Sequence, residues 1–145
     1  MTTRFHAAAG GLAMGIILIF WSSSVIAELF LSHETVAVVK EGILRGLILL
    51  IPAMAITGGS GFHLAKGRTG ALITGKQKRM RILGANGLLV LLPCAFYLHH
   101  KASSGQFDPW FYGVQLLELL AGVLQLALMG ANFRAGLTLT RRSLP

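Results

Sequence analysis

The sequence has a single cysteine, Cys94, so an internal disulfide is excluded, and its apolar surroundings say nothing about redox compartment. Charge is equally scarce. Charged residues make up 12% of the chain, against roughly 25% in soluble domains. There is no low-complexity tract and no repeat relating the two halves. No His-Glu-x-x-His motif, cysteine pair or carboxylate–histidine run points to zinc. No nucleophile stands beside a base, so hydrolase chemistry has no footing. These absences exclude a disordered chain, a nucleic-acid-binding domain and an ordinary soluble enzyme.

Long apolar runs are what the chain does have. Of its 145 residues, 54% are hydrophobic, and the mean hydropathy is +0.68. A bilayer core about 30 Å thick is crossed by roughly 20 apolar helical residues. Four runs meet that length or approach it: Phe5 to Ala27, Gly46 to Ala65, Ile82 to Leu98 and Trp110 to Phe133. Backbone polar groups find no water in lipid, so such runs must be helical. The expectation is an all-α, four-helix transmembrane bundle, residues 1–145 forming one integral membrane domain. Ser24 and Ala27 resemble a cleavage site, but the run from Phe5 is too long for a signal-peptide core, so it is expected to be retained.

Basic residues orient the spans. Ten of them (Arg4, Lys66, Arg68, Lys76, Lys78, Arg79, Arg81, Arg134, Arg141 and Arg142) fall on the side of the termini and the second loop. Only Lys40, Arg45 and Lys101 fall opposite, in company with Glu28, Glu34, Glu41 and Asp108. The positive-inside rule then places both termini in the cytoplasm and the protein in a bacterial inner membrane. The +8 net charge reflects this flanking pattern and not a nucleic-acid surface. The dense cluster Lys66 to Arg81 reads as a topology determinant meeting anionic headgroups. Gly67, Gly70 and Gly75 predict that it is a mobile loop, and they do not fit a phosphate-binding loop.

The intramembrane polar residues are the candidate sites. Glu118 interrupts the last run, and a carboxylate there is a functional-site candidate by default. Gln115, Glu118, Gly122, Gln125, Met129 and Asn132 recur at steps of three and four, so they share one helix face. Leu117, Leu120, Leu124 and Leu128 form the face for lipid. Glu118 reads either as a protonated hydrogen-bond donor between helices or as a proton-handling group. Tyr97 and His99 are its expected neighbours, while Asn86 is expected to meet Gln125 or Asn132. Ala7, Gly11 and Gly15, with Gly58, Gly59 and Gly61, mark expected packing surfaces. Pro52 and Pro93 predict kinks.

His6 and His63 fall at one depth under antiparallel threading, where two imidazoles can hold a haem iron from both faces. Gly10 and Gly59 would leave room for the macrocycle. The stretch Arg4 to Ser22 has a histidine near its start, then glycines, an aliphatic run and Trp21. It resembles the first helices of small membrane b-type cytochromes, the cytochrome b561-like and PepSY-associated proteins. That resemblance implies His6 as an axial ligand of haem b; His63 comes from the depth argument alone. Histidines near span ends also serve as interfacial anchors.

The chain therefore reads first as a non-catalytic accessory or anchoring subunit of a larger membrane complex, partnered by lipid and other membrane subunits. The alternatives are a bis-histidine haem b electron-transfer or quinone-linked anchor, and a proton-handling protein built on Glu118.

Overall fold

A computed structural model describes residues 3–142, and every regular element in it is a helix. In chain order these are α1 (Thr3–Phe30), α2 (His33–Ala65), α3 (Ala71–Asn86), a π-helical turn (Gly87–Leu91), α4 (Leu92–Ser103) and α5 (Pro109–Arg142). The α3 helix, the π turn and α4 run on as one rod, giving four rods in all. Three of them, α1, the rod Ala71–Ser103 and α5, are long and apolar enough to cross a membrane. The chain is by that measure a membrane protein, with apolar helix surfaces suited to lipid.

The rods outrun the apolar segments. Ser32 caps α2, its hydroxyl accepting from the Thr35 N–H at 3.3 Å, so the helix starts at His33 and not near Gly46. Residues 33–45, expected in a loop, are helical. The basic segment is corrected in the same way. Only Lys66 to Gly70 form the connection, where Gly67 (φ 75°) and Gly70 (φ 131°) supply backbone angles that side chains resist. From Ala71 onward the Lys, Gln, Arg and Met residues are good helix formers, and the expected mobile loop is mostly helix.

Pro93 explains the π turn. Proline lacks an N–H, and its ring crowds the carbonyl four residues back. The Leu92 N–H reaches back to the Gly87 carbonyl, one residue further than in an α-helix, so the rod absorbs the misfit as a bulge.

The α1 helix packs against α2 and α5, and the α3–α4 rod packs against the same two, so α1 and that rod stand diagonally. The chain begins and ends at one end of the bundle, the termini end; the α1–α2 and α4–α5 turns form the far end. Ala27, Val36, Leu98, Ala102 and Phe111 make a core at the far end, and Ala13, Ile17, Ala53, Leu83 and Met129 make one nearer the termini. Close contact falls at glycines other than the expected stripe. A Cβ on Gly46 would strike the Phe20 ring, and one on Gly122 would strike Trp21 at 2.7 Å. Gly11, Gly15, Gly58 and Gly59 meet nothing within 4 Å, so of the expected glycines only Gly61, against Met80 and His6, is tightly packed.

Candidate functional site

Lys40 is the largest fully buried side chain among the described residues. Its helix face carries Val36, Ile43 and Leu47, all buried, and Lys40 falls in line with them. Its ammonium donates to Glu118 Oε2 at 2.8 Å and to Ser24 Oγ at 3.2 Å. Gln115 Nε2 donates to the same carboxylate oxygen at 3.2 Å. The Lys40 side chain is 1% exposed and that of Glu118 12%. Three rods thus meet in one ion pair, α1 through Ser24, α2 through Lys40 and α5 through Glu118.

This corrects the sequence reading of Glu118. Its partner is neither Tyr97 nor His99 but Lys40, which lies N-terminal to the apolar run from Gly46 yet within α2. Glu118 Oε2 is the shared acceptor of the Lys40 Nζ and Gln115 Nε2 contacts. Nearby, Glu28 Oε1, His99 Nδ1 and Gln115 Oε1 are buried with no hydrogen-bond partner among the described residues.

Towards the termini end the α5 stripe continues as a ladder of hydrogen bonds. Asn86 Nδ2 donates to Gln125 Oε1 at 2.8 Å and to the Ala121 carbonyl at 3.0 Å. Gln125 Nε2 donates to the Leu83 carbonyl at 3.3 Å, beside the π turn. Arg79 Nε donates to Asn132 Oδ1 at 2.7 Å. Gln115, Gln125, Met129 and Asn132 are all buried, as their spacing predicts, and Leu117, Leu120 and Leu124 are exposed. Leu128 is the exception, packed against the core near the termini.

A cavity of about 900 Å³ lies within the bundle, lined by His6 and Lys76 towards the termini, by Met14, Met54 and Gln125 midway, and by Glu118 at its deep end. His6 Nδ1 is paired with Ser60 Oγ at 2.8 Å. His63 is exposed and lines a separate shallow groove on α2 with Ala55, Ile56 and Gly59. Gly10 lines the main cavity, with its Cβ position 3.4 Å from Thr57, while Gly59 lines the groove beside His63. The two imidazoles face different spaces, so they do not fit the two faces of one haem.

No protein-family model matches the chain, and comparisons with curated proteins and with solved structures find no similar protein. The likeness of the first helix to b-type cytochromes therefore rests on its own residues.

Proposed function

We propose that the protein is a four-span protein of the bacterial inner membrane, both termini cytoplasmic, serving as a non-catalytic accessory or anchoring subunit of a larger membrane assembly. The observation that carries this reading is the shortness of the connections, Leu31–Ser32, Lys66–Gly70 and Ser104–Asp108, between long helices with apolar outer faces. Among the described residues nothing forms a domain outside the bundle. Ile48, Leu49, Leu88 and Leu89 are among the large side chains pointing outward. Partners of such a protein meet it through helix faces at membrane depth, where close packing supplies the affinity.

The test is its native state at native expression level. Cross-linking in intact membranes, then extraction in two mild detergents, should recover the chain with one different polypeptide at a constant ratio. Recovery of the bare chain, or only of copies of itself, would overturn the subunit reading.

A further inference from the structure

The cavity lacks an acidic residue at its termini end. All five acidic residues, Glu28, Glu34, Glu41, Asp108 and Glu118, lie in the far half of the bundle. Arg68 and Lys76 line the cavity near the termini, and neither forms an ion pair among the described residues. Lys76 is partly buried, and its Nζ lies 3.5 Å from the Cβ position of Gly136 on α5, so its charge is turned into the bundle. A partly buried cation without a counter-ion is unfavourable. The described chain offers no carboxylate there, so an anion has to come from elsewhere.

The shape narrows the choice. The lining residues follow α1 from Thr3 to Ser24, a path of roughly 30 Å at about 1.5 Å per residue. A path of that length accommodates one extended long hydrocarbon chain end to end. Midway the walls are mostly apolar and adaptable, with Met14, Met54, Met80 and Met129 among them. The polar groups further in are already paired within the protein: Gln125, midway, with Asn86 and Leu83, and Glu118, at the deep end, with Lys40. They ask nothing of a ligand.

We propose that this cavity binds a single-chain lipid phosphate, a long-chain alkyl or isoprenyl monophosphate, with its headgroup between Arg68 and Lys76 and its chain along α1. Two cations with the His6 imidazole beside them suit a doubly charged headgroup better than a singly charged one. The inference does not depend on the subunit reading, since ligand occupancy is measured on the isolated chain.

Native mass spectrometry of the full-length protein with hexadecyl phosphate tests it. One adduct should saturate, and hexadecanol or inorganic phosphate at equal concentration should neither bind comparably nor displace it. Lys76→Gln should weaken binding about fivefold. Gly58→Leu and Gly84→Leu should block the chain, since both glycines line the cavity and their Cβ positions meet open space. Helix content and thermal midpoint show that each variant folds, and Lys76→Gln decides the matter if the leucine variants do not. Equal binding of hexadecanol, unchanged binding in folded Gly58→Leu, or displacement by an equal concentration of diacyl phosphatidylglycerol would each overturn the proposal.

Discussion

A lysine on the buried face of an apolar helix is held in place by what it meets. Lys40 and Glu118 gain little net stability by pairing, because both give up hydration, but removing one alone strands the other. Lys40→Met should therefore destabilise the protein by about 3–5 kcal/mol. Glu118→Gln should cost less, since the amide oxygen still accepts from Lys40. The double variant Lys40→Met/Glu118→Leu should recover most of the loss. Denaturant or thermal midpoints in micelles measure all three, and additive losses in the double variant would show the two residues do not act as a pair. Glu118 was legible from the sequence because it breaks an apolar run. Lys40 was not, because it sits among Glu34, Glu41 and Arg45, where charge reads as a loop. Its signal was periodic: Val36, Lys40, Ile43 and Leu47 follow steps of four, three and four.

At the scale of elements, helix identity was legible and helix ends were not. Hydropathy finds the apolar middle of each rod, whereas ends are set by caps and glycines. The α4–α5 turn shows the mechanism. The Gln106 N–H bonds to the Lys101 carbonyl and the Gly105 N–H to that of Ala102, with Gly105 at φ 69°, a left-handed cap that closes α4. Asp108 opens α5 by accepting from the Phe111 N–H at 2.9 Å, just ahead of Pro109. The Lys101 ammonium, followed by that N–H, holds the Asp108 carboxyl below its ordinary value. A depressed carboxyl stabilises the fold above the unfolded pKa of about 3.9 and loses that contribution as pH falls through the folded value. Asp108→Asn keeps an oxygen for the cap but loses the ion pair, so its midpoint should lie slightly below wild type at pH ~6 and converge with it as pH falls through the depressed value of the folded carboxyl. Asp108→Ala, lacking the cap as well, should stay lower at both values. Persistence of the Asn deficit at low pH would count against this account. The bulge before Pro93 was half legible: proline announced a disturbance, but not that an extra residue in the turn would absorb it.

For the whole molecule, the antiparallel order of rods followed from run lengths, and the orientation rests on charge. Alkaline phosphatase fused after Ser104 should be active, and fusions after Gly70 or Pro145 inactive, with green fluorescent protein giving the reverse. An active phosphatase at Pro145 would overturn the four-span, cytoplasmic-termini reading. On that reading a core of about 30 Å, measured along α2 from Gly61 beside Met80, ends near Glu41 at about 1.5 Å per residue. Lys40 and Glu118 then lie at the outer boundary of the hydrocarbon and not at its middle. The pair also has an order in time. Lys40 and Glu118 are 78 residues apart in the chain, so at 5–20 residues per second the lysine exists for roughly 4–16 s before its carboxylate is even made. Through that interval the α1–α2 hairpin lacks the carboxylate that Lys40 pairs with in the bundle. The helix that completes the first hairpin is made after it, and a chain halted before α5 exposes a lysine that the bundle buries against a carboxylate.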